Sequence, residues 1–218
     1  AIRELTRRGR SAVVSVMLDE LETATGTHLR NLINQLSASG DARAVPVLVE
    51  RFNKSPEGEG RPFLQAIAQN ASSAAAKALC ALFAGSEKLV NSSDDNPLTT
   101  RSYIPLLLLN LRGSEQVVID YFKSLPKEAW ELRARLMPTI VGYAVDRRDQ
   151  ENLQKTCIDP VRALLMDPSE LPQLRVQALN LLARNWLTIE DVMRLQRMRR
   201  KEQPGMRALI GDFLLDAF

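Results

Sequence analysis

The sequence predicts an all-α fold, and three observations predict it. Apolar residues recur at intervals of three and four along nearly the whole chain, which sets them on one face of successive helices. The breaks between these segments carry turn chemistry, at Ser39-Gly40-Asp41, Gly85-Ser86, Arg112-Gly113-Ser114, Asp167-Pro168-Ser169 and Gln203-Pro204-Gly205. No stretch alternates apolar and polar residues for long. Aromatics make up only 5% of the chain while Leu and Ala abound, a balance that suits helix-on-helix packing better than strands.

Taken in order, helices are predicted over 2–24, 27–38, 42–54, 60–70, 72–84, 100–112, 114–124, 127–147, 150–166, 169–186, 189–202 and 204–217. In the second, Leu29, Leu32, Ile33 and Leu36 share a face, and in the tenth Leu174, Ala178, Leu181 and Leu182 do so. The third opens after a Gly-Asp turn with Pro46 inside its first turns. Cap signatures mark two further starts: Ser169 just after Pro168, and Thr188 with Asp191 three residues later. The connections are short except Glu87 to Thr99, where Asn91-Ser92-Ser93-Asp94-Asp95-Asn96-Pro97 cannot bury enough apolar surface to order itself.

At 218 residues, 45% of them hydrophobic and 25% charged, the chain is long enough for one domain with a continuous core. A single domain over 1–218 is expected. The polar loop at about 86–99 is either an excursion within one array or the separator of two halves, and an excursion is the favoured form. No window reaches the roughly 18 consecutive apolar residues of a membrane span. The longest pure apolar run, Ile104 to Leu109, falls far short. Ala1-Ile2-Arg3-Glu4 begins without an apolar signal region, as a trimmed or a mature form would, so the compartment stays open; a soluble, cytoplasmic protein is the favoured expectation. The ending Leu214-Leu215-Asp216-Ala217-Phe218 is apolar and uncapped, the pattern of a chain that continues or of an end that docks.

Two segments carry a family resemblance. Gly40-Asp41-Ala42-Arg43-Ala44-Val45-Pro46-Val47-Leu48-Val49-Glu50-Arg51 resembles the first helix of a HEAT unit, and Leu174-Arg175-Val176-Gln177-Ala178-Leu179-Asn180-Leu181-Leu182 is similar to the Val-Arg-x-x-Ala second helix of such a unit. A hydrophobic-Pro step recurs at Val45-Pro46, Ile104-Pro105 and Met137-Pro138, and proline there removes a backbone donor and bends the helix. The intervals are 59 and 33 residues, so only the second fits one repeat, and 72–100 has neither the turn nor the proline step. The resemblance to degenerate HEAT repeats, an armadillo-type α-solenoid family, implies a right-handed stack of antiparallel hairpins with a concave binding surface. A non-repetitive helical bundle is the alternative.

Most catalytic chemistry lacks its residues. His28 is the only histidine and sits at a helix start, where exposure or capping is its ordinary role. No Cys/His cluster can hold zinc, no nucleophile elbow is present, and no Gly-rich loop resembles a phosphate cradle. Cys80 and Cys157 each fall in an apolar helical pattern and are expected as buried free thiols. Asp94-Asp95 lies in the polar loop, and Glu190-Asp191 complements a helix dipole. No cofactor, no metal and no catalytic residue is assigned, and the chain is read as not an enzyme.

The charged residues offer more. Net charge is +3 with a pI near 9.0, and Arg far outnumbers Lys, which supplies planar bidentate donors for carboxylate or phosphate. Arg194, Arg197, Arg199, Arg200 and Lys201 place five cations in eight residues, with Leu195, Met198 and Val192 on an interleaved apolar face. The plain alternative is a solvated amphipathic helix whose cations favour its own C-terminus. Arg7, Arg8 and Arg10, and Arg133 and Arg135 with Arg147 and Arg148, form further basic groups. Trp130, beside Glu128, Glu131 and Arg133, is a candidate interface anchor with Arg133, whereas Trp186 is expected in the core.

These observations favour a non-catalytic scaffold that recognises a protein partner, an acidic segment fitting an Arg-rich helical surface best. Nucleic-acid binding is the alternative. On a HEAT-like scaffold it would resemble the alkylpurine DNA glycosylases, for which Trp130, Trp186 and Asp191 are the candidate parts, although no motif of that family is present. A structural module of a larger chain is the third reading. Oligomeric state is open.

Overall fold

The computed structural model describes residues 2–91, 97–146, 151–183, 185–202 and 204–216, with the side chains of 2–11 and 216 outside the description. Among these residues the chain forms twelve α-helices: α1 (Ile2–Leu21), α2 (Gly26–Ser39), α3 (Ala44–Lys54), α4 (Arg61–Asn70), α5 (Ser73–Gly85), α6 (Thr100–Leu109), α7 (Glu115–Ser124), α8 (Trp130–Asp146), α9 (Glu151–Met166), α10 (Pro172–Leu182), α11 (Ile189–Arg199) and α12 (Pro204–Asp216). The only extended pairing described is an antiparallel bridge of Leu89 with Thr99. The fold is all-α, as the periodicity predicts.

Two compact units divide the chain, Ala1–Val118 and Ile119–Phe218, with the division falling inside α7. In the first unit, α4 packs on α2, α3 and α5, and α5 packs on α3 and α6. Each helix thus meets its next neighbour and its next but one, the pattern of stacked hairpins joined by short turns. Leu32, Ile33 and Leu36 of the predicted α2 face are buried, together with Leu48 and Phe52 of α3, Leu64 and Ile67 of α4, and Leu79 and Phe83 of α5. In the second unit α8, α9 and α10 pack on one another, α11 packs on α12, and α12 also meets α10. Leu136, Ile140, Tyr143, Val161, Leu165, Leu174, Ala178, Leu182 and Leu195 form its core.

The Gly40-Asp41 turn is built as its residues dictate. Gly40 closes α2 in the left-handed region at φ 65°, which a side chain would resist. The Asp41 carboxylate then accepts from the Arg43 amide at 3.0 Å and from the Arg43 guanidinium, which holds its pKa below the ordinary value. Asn70 Nδ2 donates to the Asp41 carbonyl at 3.0 Å and ties the turn to the end of α4.

The predicted polar loop belongs to the first unit. Residues 92–96 lie outside the description, but both flanks are pinned. Val90 N donates to the Leu98 carbonyl at 2.7 Å, Thr100 N to Lys88 at 2.9 Å, and Gly58 N to Leu89 at 2.9 Å. Lys88 Nζ caps the end of α3, donating to the Phe52 carbonyl at 2.7 Å and lying 5.0 Å from the Phe52 ring centroid, while burial lowers its pKa.

The prolines divide by position. Pro46 is the third residue of α3, where no intrahelical donor is lost, whereas Pro105, Pro138 and Pro160 are interior to α6, α8 and α9. Pro138 leaves the Ala134 carbonyl without its i+4 donor, and Gln177 Nε2 of α10 supplies one at 2.8 Å. Several element bounds depart from prediction, α1, α6 and α11 each ending three residues early, and α8 and α10 depart for identifiable reasons. α8 begins at Trp130 because Pro126 to Ala129 make a turn, with Ala129 N donating to Pro126 at 3.1 Å. α10 begins at Pro172 with Leu171 as N-cap, since the Asp167 carboxylate takes the Ser169 amide at 2.9 Å in a local turn and Ser169 caps nothing. It ends at Leu182 rather than at 186.

Candidate functional site

The basic cluster is carried by α11 and the turn after it, and α11 is firmly anchored. Thr188 stands in extended conformation as N-cap. Its hydroxyl accepts from the Asp191 amide at 3.2 Å, and Asp191 Oδ2 accepts from the Thr188 amide at 2.9 Å, closing the predicted capping box. Asp191 Oδ2 also pairs with Arg162 Nε at 2.9 Å, fastening the start of α11 to α9. Leu195 is fully buried, as are Met206 and Ile210 of α12.

From this base the cations diverge. Wound at about 100° per residue, Arg194, Arg197, Arg200 and Lys201 fall within an arc of about 120°, and Arg199 falls outside it. Arg194, Arg197, Arg200 and Lys201 are exposed, and among the described residues none of the four makes an ion pair. Arg197 Nε donates to the Met193 carbonyl at 3.3 Å, which lays its guanidinium back along the helix. Arg194 borders a shallow pocket with Asp159, Arg162, Met166, Asp167 and Pro168. Arg199 is exposed but turned away, its Nε donating to the Arg207 carbonyl at 3.3 Å and its guanidinium lying against Gly211 of α12.

Trp130 and Arg133 part company. Trp130, the first residue of α8, is 41% exposed. Arg133, one turn on, is buried, and its Nη1 and Nη2 each donate at 2.8 Å to an oxygen of buried Glu170. That bidentate pair occupies the guanidinium, so Arg133 joins α8 to the α9–α10 turn and presents no charge to a partner. Trp186 is not a core residue: it is partly exposed in the turn after α10, where its carbonyl accepts from Arg162 Nη2 at 2.8 Å.

The remaining sequence candidates resolve simply. His28 is exposed and 3.3 Å from the Glu20 carboxylate. Cys80 and Cys157 are buried free thiols, and burial pushes Cys80 up to about 12. Among the described residues no group of three or more His, Cys, Asp or Glu is placed to hold a metal ion, and no helix is long and apolar enough to cross a membrane. The side chains of Arg7, Arg8, Arg10, Asp94, Asp95, Arg147, Arg148 and Phe218 lie outside the description.

Sequence reasoning missed two features. The first is the fully buried Arg175, whose Nη1 and Nη2 donate at 2.8 and 2.6 Å to Glu202 and whose Nε donates to the Leu165 carbonyl at 3.0 Å. The second is the pair Ile189 and Met193, 81% and 54% exposed on the outer side of α11. Their signal was present: in the same helical projection they fall about 120° and 160° from buried Leu195.

No protein-family model matches this chain, and no curated protein matches it. Among solved structures it is similar to a chain in the complex of CpcE and CpcF of phycocyanin lyase from Nostoc sp. PCC7120, with 16% identity, 95% of this chain and 85% of that one covered, and a TM-score of 0.36. A likeness that slight carries neither a family nor an activity across.

Proposed function

We propose that the protein is a non-catalytic scaffold of HEAT-like stacked hairpins that holds an acidic segment of a protein partner on α11. One observation carries this reading. The second unit consumes Arg133, Arg162 and Arg175 in pairs with Glu170, Asp191 and Glu202, whereas Arg194, Arg197, Arg200 and Lys201 stand exposed on one arc with no carboxylate paired to them among the described residues. Guanidinium groups so placed make charge-assisted, often bidentate bonds to carboxylates. The Gly40-Asp41 turn and the Leu174–Leu182 helix support the HEAT-like assignment. Base chemistry of the glycosylase kind finds no support in Asp191, which is spent on the α11 cap and on Arg162.

Fluorescence anisotropy of a labelled acidic peptide and of a mixed-sequence DNA duplex, each across a salt series, tests the reading. Micromolar binding of the peptide, lost on Arg197→Glu/Arg200→Glu substitution, is the expected result. DNA binding that is tighter and falls more steeply with salt would replace it with a nucleic-acid reading.

A further inference from the structure

We infer that α11 reads its partner through a composite face, in which the apolar step Ile189–Met193 runs directly into Arg197 and Arg200, and that the occupant is an amphipathic, N-terminally acidic helix of a partner protein. This rests on the proposed binding of an acidic segment and adds the shape of that segment. Ile189, Met193 and Arg197 stand at i, i+4 and i+8, one stripe along the helix. Their exposure is not a packing fault, because Leu195 on the far side fills the core completely and the Thr188–Asp191 box fixes the rotation of α11. The bond from Arg197 to the Met193 carbonyl keeps the first charge beside the second apolar group.

A solvated helix gains nothing by exposing an isoleucine and a methionine on the stripe that leads to its cations. A partner helix does gain, since apolar residues at i and i+4 cover the step while carboxylates meet the guanidinium groups. Direction follows from the same chemistry. α11 runs from its apolar step to its cations, so an antiparallel partner brings its own N-terminal turn to Arg197 and Arg200. Acidic residues are favoured in a helix's first turn by the dipole, so the antiparallel partner is acidic first and apolar after. Glu190, exposed at the apolar end, opposes acidic residues there and enforces the same order.

The test uses the whole chain and three labelled peptides of equal charge. One has glutamates in its first turn followed by leucines at i and i+4, one has that order reversed, and one has no leucine. The first should bind about tenfold tighter than either control, and Met193→Ser or Ile189→Ser should remove that margin while leaving the leucine-free peptide's affinity unchanged. Both substitutions are at exposed sites, and circular dichroism confirms an unchanged helix content. Equal binding of all three peptides, unaffected by Met193→Ser but abolished by Arg197→Glu/Arg200→Glu, would overturn the composite face and leave the acidic-segment reading standing. No binding of any peptide would overturn both. Retention on anionic lipid vesicles, lost in Ile189→Ser and Met193→Ser, would overturn the protein helix in favour of a membrane surface.

Discussion

At the scale of single residues, arginine does two separate jobs in this chain, and burial separates them. Arg175 is the largest side chain fully enclosed among the described residues, and its charge is tolerable only because Glu202 takes both Nη atoms and the Leu165 carbonyl takes Nε. Removing one partner leaves a buried charge uncompensated. Glu202→Ala should therefore cost about 3–5 kcal/mol in urea unfolding, whereas Arg175→Met with Glu202→Leu should cost clearly less. If the double substitution were as damaging as the single, the pair would be contributing more than mutual compensation. Asp167 works differently, at the surface. Hydrogen bonds from Lys127 and then Ser169 hold its carboxyl well below the ordinary aspartate value. A depressed carboxylate pKa contributes stability that is present above the unfolded value of 3.8 and is lost as pH falls from there toward the folded value. Asp167→Asn should thus be less stable than the natural chain at pH 7, with the difference closing below pH 4; thermal melts over that range read the closure directly. Exposure of both partners keeps the effect small.

At the scale of elements, interior proline sets a problem that a neighbouring helix solves. Pro138 cannot donate to Ala134, and Gln177 reaches from α10 to do so, which couples α8 and α10 through one carbonyl. Gln177→Leu should cost about 1–3 kcal/mol by leaving that acceptor unsatisfied. Pro138→Ala returns a backbone N–H, so Gln177→Leu should cost much less in that background. A double-mutant cycle with no coupling would show that the Ala134 carbonyl has another donor. Much of this level was legible in the sequence. Twelve helices, the Gly40 cap and the Thr188–Asp191 box follow from local chemistry, which a single segment carries within itself. What escaped depends on partners remote in sequence. Nothing near Arg133 announces Glu170, and nothing near Trp186 announces that α10 stops at Leu182. Arg133 therefore read as a surface cation and Trp186 as core. Ser169 misled for a subtler reason, since its hydroxyl donates to the Asp167 carboxylate and accepts from Lys127 Nζ, and a turn forms where a cap was expected.

At the scale of the whole molecule, a net charge of +3 hides an uneven allocation that decides what the protein attracts. Exposed unpaired cations attract at a distance and are screened by salt, whereas a buried pair presents no net field and is screened little. Substituting Arg197 and Arg200 together should therefore lower the affinity for an acidic peptide most at low salt and flatten its salt dependence, chiefly by slowing association. Arg133→Met paired with Glu170→Leu, which removes a cation of the same type from the same unit, should leave both affinity and salt dependence where they were. Stopped-flow association at several ionic strengths distinguishes the two variants. The Arg133/Glu170 variant leaves the net charge unchanged, so equal losses from both would mean that the α11 arc does not govern encounter. A loss confined to the first would fix recognition on the exposed arginines of the α11 arc, which make no ion pair among the described residues.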